Sequence, residues 1–318
     1  MNHSMNVNFL QANTNLLPDE TYSRRNLILA QALAVTHAIF RKLEIRGWWY
    51  VVKIFSKVMK GKLLIRIKEM NFEIETTEPY WLRLVVRDFD YEIEIETLLS
   101  RIFHLRQATF LDLGANVGYW SCMCLSKYDV QELSVVEPNP EILSNLEQNL
   151  KLNGFKGEII QKALAKESDK TVELHVDRNN VAGGSLLSSN HEETIFYVQT
   201  ISINEVLKPF SNSDKLIVVK MDIEGVELEV FKESSQLGKQ NIIYIYEDHG
   251  SDSSSKTTNY LLSTEKFHIW LLRPNLPPLF ISRISTLNSN KLSKNIGYNM
   301  LAVPKANRLW TELDLEIN

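Results

Sequence analysis

From Phe110 to Val303 the chain alternates short apolar runs with stretches of helical period, and this alternation constrains the fold more than any other feature. FLDLG reads as a strand and VGYWSCMCLSKY as a helix. ELSVVEP is the next strand, followed by the helix PEILSNLEQNLKLNG, with proline near its start and Gly154 past its end. EIIQKAL, KLIVVKMDI, NIIYIYED, FHIWLLR and YNMLAV supply further strands, and VELEVFKESSQL and SKTTNYLLSTEK further helices. TVELHV and IFYVQT read as an inserted hairpin pair. Strands spaced by single helices predict an α/β fold, a mostly parallel sheet with helices on both faces.

The N-terminal part is built differently. Residues 1–20 are polar and rich in asparagine. The apolar run from Leu27 to Phe40 is too short to span a bilayer and is interrupted by Gln31, Thr36 and His37, so a core-facing helix is expected rather than a secretory signal. Residues 46–60 have a clearer helical period. Trp48, Val51, Val52, Phe55, Val58 and Met59 fall on one side, and Arg46, Lys53, Lys57 and Lys60 on the other. A basic amphipathic helix of this kind can lie on an anionic membrane surface, so residues 41–68 are a candidate for peripheral membrane contact. The plainer expectation is that the apolar stripe packs on the protein's own core. KLLIRI and FEIET flank KEMN and predict a β-hairpin, and Tyr91 to Phe103 returns to helical spacing.

The formal net charge of −4 hides an asymmetry: residues 1–70 carry 11 Lys/Arg against 4 Asp/Glu, and the remainder 24 against 35. The acidic body is a poor host for nucleic acid. Cys122 and Cys124 stand two apart on a predicted helix and cannot face each other, so neither a disulfide nor a zinc site is expected. A reducing, cytoplasmic location is the default.

The stretch FLDLGANVGYWS sets Gly114 and Gly118 four apart after a strand, a turn shaped for close backbone approach to a ligand. No third glycine and no phosphate-binding Lys-Ser/Thr follow, so it is not a dinucleotide or P-loop fingerprint. Glu137 ends the second strand, where a carboxylate can accept both ribose hydroxyls of an adenosine. NAD and S-adenosylmethionine share that ribose; the missing phosphate features favour S-adenosylmethionine. A nicotinamide-dependent oxidoreductase and a non-catalytic membrane- or partner-docking module are the alternatives.

FLDLGANVGYWS, VVEPNPEILSNLEQNLKLNG and VVKMDIEGVELEVFK, in this order and spacing, resemble the FkbM-type class I S-adenosylmethionine-dependent methyltransferases. YEIEIETLL, KALA, GGSLL, TISINEVL and YIYEDH extend the resemblance over about residues 80–303. It implies a Rossmann-like class I methyltransferase fold with a seven-stranded, mostly parallel sheet. Residues 1–70, basic and largely outside the resemblance, are expected as an N-terminal extension before a methyltransferase domain, residues 71–318. By the same resemblance Asp112, Gly114, Asn116 and Gly118 line the methionine half of the cofactor. Glu137 holds the ribose, Asn139 flanks the adenine and Ala163 sits at the base. Ala163 stands where related enzymes often carry an acid, and Asn204 where they often carry an aspartate, so neither of those acidic roles is expected here.

In KMDIEGVELEV, strand periodicity points Lys220, Asp222 and Glu224 to one side. Carboxylates that close need a cation, a lysine or a shared proton, and a sulfonium is itself a cation. Asp222 is expected as general base or substrate orienter, Glu224 as its second, and Glu227 as a helix N-terminal carboxylate. His249 is a further candidate base. Asp222, Glu247 and His249 would form an oxygen-rich site for Mg²⁺ if they converge. The resemblance implies O-methylation of a sugar, glycan or secondary metabolite, framed by GGSLL and the serine-rich loop 250–258. No [D/N]-P-P-[Y/F] follows the fourth strand, which argues against methylation of DNA bases. The oligomeric state is left open.

Overall fold

Ser23 accepts the backbone N–H of Asn26 at 3.1 Å and caps helix α1, Arg24–Lys42. Gly47, at φ +100°, turns the chain into α2, Trp48–Val58. Strands β1 (Lys62–Ile67) and β2 (Met70–Glu75) form the expected hairpin. Ile67 pairs with Met70, so the turn is two residues rather than the four of KEMN, with Lys68 at φ +55°. The structure, a computed structural model, describes residues 14–17, 23–86, 89–128, 130, 132–177, 180–186, 193–223 and 225–317.

Short α3 (Pro79–Leu82) and longer α4 (Ile93–Leu105) lead into the alternating part. It runs β3 (Ala108–Leu113), α5 (Tyr119–Lys127), β4 (Glu132–Val136), α6 (Leu143–Leu152) and β5 (Ile159–Ile160). A four-stranded insertion follows: β6 (Ala163–Leu164), β7 (Thr171–Asp177), β8 (Asn180–Ser185) and β9 (Glu193–Ile201), ordered 6-9-7-8. The two strands read as a hairpin, β7 and β9, do pair antiparallel from Thr171–Gln199 to Asp177–Glu193, but β8 intervenes in the chain and pairs with the other edge of β7, so they are not a simple hairpin. The chain then returns to the main sheet through α7 (Ile203–Leu207), β10 (Leu216–Met221), α8 (Glu227–Glu233), β11 (Ile242–His249) and α9 (Lys256–Ser263). It finishes with β12 (Phe267–Arg273), β13 (Leu276–Phe280), α10 (Ile284–Asn290), β14 (Gly297–Pro304) and α11 (Leu309–Glu312).

The main sheet is ordered 13-12-14-11-10-3-4-5. From β5 to β11 neighbours are parallel; β14, β12 and β13 are antiparallel additions. The sheet is thus the expected mostly parallel α/β sheet, with eight strands instead of seven. The extra strand is β13, whose sequence LPPLF carries two prolines. Proline lacks the N–H a central strand needs, but β13 pairs only with β12 and closes the sheet at its edge.

β3 and β10 are buried along their whole length, as strands covered on both faces must be. Alternate residues feed two cores: Phe110 and Val218 belong to one cluster, Leu111 and Val219 to the other. The N-terminal elements join the first cluster through Leu33, Val52, Met59, Ile65 and Phe72. The expected stripe faces inward at Val52 on α2 and at Met59 just past its end, both fully buried, but Val58, expected on the same side, falls in line with Tyr50 and Ile54 and is exposed. On α1 the inward face is narrow: Asn26, Ala30, Leu33 and Ala34 are buried, while Ile28, Val35 and Ile39 lie exposed.

Two asparagines one helical turn apart fasten the hairpin to the alternating part. Asn149 on α6 accepts the Glu73 backbone N–H at 2.7 Å and donates to the Glu73 carbonyl at 3.2 Å. Asn153 does the same for Asn71, at 3.1 and 2.7 Å. Their amides replace a neighbouring strand along the edge of β2. Asn149 also donates to the carbonyl of Val117 at 2.9 Å, and so ties the hairpin to the glycine turn.

Candidate active site

From β3 the chain steps outward through β4 to β5, then returns to lay β10 on the opposite side of β3. The carboxyl ends of β3 and β10 therefore flank a switch point, where an open α/β sheet leaves a crevice. The Asp222 N–H donates to the Leu113 carbonyl at 3.0 Å and locks the two ends together. Gly114, at φ +81°, comes so close that a Cβ there would stand 1.9 Å from the Asp222 carbonyl oxygen. Only glycine fits, for both reasons.

A cavity opens at this point. Gly114, Ala115 and Asn116 form one wall, Glu137, Pro138, Asn139 and Ile142 a second, and Lys220, Asp222, Ile223 and Val226 a third. Ala163, Leu164, Leu174 and Leu186 close it from the insertion, and Tyr80, Trp81, Tyr91, Glu92, Tyr119 and Trp120 from the N-terminal side. Glu247 of β11 also lines it.

Glu137 is buried, with its carboxylate held by backbone donors: Asn116 N–H to Oε2 at 2.7 Å and Asn139 N–H to Oε1 at 2.8 Å. Burial pushes the carboxyl up to about 7, against the pull of both N–H groups and with help from Asp112 and Asp222. Each oxygen keeps acceptor capacity toward the cavity beyond these bonds.

Lys220 lies almost wholly buried, its Nζ 3.1 Å from Asp222 Oδ2. Burial alone would lower its pKa, yet Asp222, Asp112 and Glu92 together carry it above the ordinary lysine value. The ammonium is the hub of the acidic cluster. Glu92, missed in the sequence, is its third carboxylate. It precedes the first turn of α4 at φ +41° and accepts from Trp120 Nε1 at 3.0 Å and Asn299 Nδ2 at 3.3 Å. Burial raises its carboxyl, which Lys220 partly offsets. A left-handed glutamate held by an indole and an amide from two distant elements is the kind of strained residue that clusters at functional sites.

Of the residues expected at the site, Gly114, Asn116, Glu137, Asn139, Ala163 and Asp222 line the cavity. Asp112 stands behind the wall, where its Oδ2 accepts the Ser121 N–H at 3.0 Å and hydroxyl at 2.6 Å and fastens β3 to α5. Gly118, at φ +87°, leaves room for Leu146; a Cβ there would meet its Cδ1 at 2.7 Å. Glu227 behaves as a helix-terminal carboxylate, accepting the Gly225 N–H at 3.0 Å and the Ile223 N–H at 3.2 Å. Glu224 lies outside the described residues. His249 is exposed, with Nδ1 2.7 Å from Ser251 Oγ, and does not join Asp222 and Glu247 in the cavity. Among the described residues no group of three or more His, Cys, Asp or Glu is arranged to hold a metal ion. Leu186 of GGSLL reaches the cavity, whereas the described residues of loop 250–258 do not. That loop belongs to a network in which Lys291 bonds Asp248 Oδ1, the Ser255 hydroxyl and the carbonyls of His249 and Asp252.

Two features carried no readable signal in the sequence. The aromatic wall gathers Tyr80, Trp81, Tyr91, Tyr119 and Trp120 from three separate segments, with Tyr91 and Tyr119 rings 4.6 Å apart edge to face. Gly297 on β14 lies under Glu247, where a Cβ would fall 1.8 Å from the carboxyl carbon.

The chain is 27% identical over 199 residues to the hexuronic acid methyltransferase AglP of Haloferax volcanii, covering 61% of this chain and 78% of the relative. It is 23% identical over 194 residues to Methyltransferase 1 of Beauveria bassiana, covering 53% and 75%. Among solved structures it is similar to precorrin-6y C5,15-methyltransferase of Geobacter metallireducens, at 14% identity and a TM-score of 0.37, over 67% of this chain and 87% of that one. Residues 112–272, half of the chain, match the methyltransferase FkbM domain, and the chain belongs to that family of methyltransferases.

Proposed function

We propose that the cavity takes S-adenosylmethionine and that the protein moves its methyl group to a hydroxyl of a sugar, glycan or other polyhydroxylated small molecule. The observation that carries this reading is the sign of the wall. Glu92, Glu137, Asp222 and Glu247 face one cavity, and among its described lining residues Lys220 is the sole Lys or Arg. Such a wall suits a ligand bearing an ammonium and a sulfonium and repels a pyrophosphate, which disfavours a nicotinamide cofactor.

The residues present fit the group. Glu137 keeps lone pairs for ribose hydroxyls, and Ile142, Ala163 and Leu164, with Asn139, give the cavity apolar lining for a base. Gly114 and Asn116 bring the backbone turn against the amino-acid end, and Glu92 supplies a carboxylate for its ammonium. When bound, the cofactor supplies an electrophilic methyl on a positively charged sulfur.

Asp222 accepts the proton of the incoming hydroxyl as the new bond forms. Lys220 holds that carboxylate in place at 3.1 Å, and Glu247 orients the acceptor from the neighbouring strand. Alignment and a positioned base are the two contributions such a displacement needs, the base adding about 10²–10⁴-fold. The rings of Tyr80, Tyr91 and Trp120 give a sugar ring C–H surface to lie on. Similarity to a relative named for hexuronic acid methylation supports a sugar as the acceptor class. Mass spectrometry of sugars and glycan extracts incubated with the protein and a methyl-labelled cofactor tests this directly. A labelled product with a newly capped hydroxyl is expected; label found only on carboxylates, or on nothing, contradicts it.

A further inference from the structure

Large apolar side chains exposed to solvent concentrate on one part of this molecule. Ile28, Val35, Ile39 and Leu43 form a single stripe along α1, at spacings of seven, four and four. On α2 the buried stripe of Val52 and Met59 has a second, outward counterpart in Tyr50, Ile54 and Val58. Tyr50 is 72% and Ile54 62% exposed, values far outside those of side chains that pack on this protein's own core.

The same surface is strongly cationic. Residues 24–60 contain eight Lys/Arg and one acid, Glu44, in a chain whose other residues sum to −11. Arg24, Arg25, Arg41, Lys42, Arg46, Lys53, Lys57 and Lys60 are all exposed. On α2 the cations alternate with the apolar residues: Trp49, Lys53 and Lys57 run beside Tyr50, Ile54 and Val58, with Lys53 Nζ 5.3 Å over the Trp49 ring. Apolar side chains interleaved with lysines on an exposed helix face match an anionic interface that is apolar just below its charged surface. An acidic protein partner would satisfy the lysines and leave no deep apolar layer for the α1 stripe. No helix among the described residues is long and apolar enough to cross a membrane.

We propose that the outward face of α1 and α2 binds the surface of an anionic lipid bilayer, with Tyr50, Ile54 and Ile39 entering the interface and Lys53 and Lys57 meeting lipid phosphates. This face lies outside the segment that matches the family domain. It adjoins the cavity through Arg83, whose guanidinium lies 6.0 Å from the Trp49 ring and 4.2 Å from the ring of Tyr80, a cavity-lining residue. Surface binding would hold the cavity beside the bilayer, whatever acceptor it takes.

The test is flotation of the full-length protein with phosphatidylcholine vesicles that contain or lack 30% phosphatidylglycerol, alongside the variants Tyr50→Ser/Ile54→Asp and Lys53→Glu/Lys57→Glu. Sedimentation equilibrium is run in parallel, and thermal melting checks that each variant is folded. The wild type is expected to float with anionic vesicles only, and each double variant to lose at least about tenfold in bound fraction with an unchanged melting temperature. Failure of the wild type to float overturns the proposal. So does unchanged flotation of both variants, or a wild-type dimer that Tyr50→Ser/Ile54→Asp dissociates without any vesicle binding. None of these outcomes depends on methyl transfer, so failure here is distinguishable from failure of the catalytic reading.

Discussion

Gly114 and Asp222 meet at the crevice between β3 and β10, so near that the first side-chain carbon of any other residue at 114 would overlap the Asp222 carbonyl. The cofactor turn and the proposed base are therefore one mechanical unit. Gly114→Ala must both adopt φ +81° and push β10 away, at a cost of at least about 2 kcal/mol. Denaturant unfolding and calorimetry are expected to show reduced stability together with lost cofactor binding. A stable Gly114→Ala protein that binds normally would contradict the geometry.

Glu137 links the site to pH. Its carboxyl titrates near 7 when folded and near 4.5 when free, so its protonated form stabilises the fold below about 4.5, and that contribution fades as pH rises through 7. The span corresponds to roughly 3 kcal/mol. Stability of the wild type relative to Glu137→Gln should fall by an amount of this order between pH 4.5 and 7, read by urea unfolding. Hydroxyl donors favour the ionised carboxylate, so cofactor affinity should rise over the same interval.

Asp222→Asn removes the proton acceptor while keeping the shape of the side chain. With an acceptor in hand, kcat should fall about 10²–10⁴-fold, while the dissociation constant of the cofactor rises by far less. Equal losses in both would make Asp222 a binding residue instead.

Gly297→Ala offers a quieter probe of Glu247. The added methyl strikes the far end of a flexible carboxylate rather than backbone, so Glu247 turns aside and the strand pairing survives. Melting within a few degrees of wild type, with acceptor KM raised several-fold and cofactor affinity intact, is expected. An unchanged KM would remove Glu247 from acceptor positioning.

The cavity's glycine turn, Glu137 and Asp222 were legible because each sits where strand period and turn chemistry fix its position beyond a strand end. Asp112 obeys the same spacing but turns to Ser121, a choice made by the packing of α5 that no one-dimensional pattern carries. Glu92 was invisible for another reason: its value comes from Lys220, Trp120 and Asn299, which converge only in three dimensions. His249 shares the strand face of Glu247, yet it is the last residue of β11, and Ser251 draws its ring aside. The β13 prolines hid an edge strand. On α2, helical period identified the buried side at Val52 but assigned Val58 to it, whereas Val58 stands exposed in line with Tyr50 and Ile54.

The proposed methyl transfer requires the acidic cavity at the switch point to receive S-adenosylmethionine. Isothermal titration of that compound into wild type and Glu137→Ala measures it most directly. Saturable one-to-one binding by the wild type is expected, with at least about a tenfold weaker affinity in the variant. No binding by folded wild-type protein, or identical isotherms for the two, would contradict it.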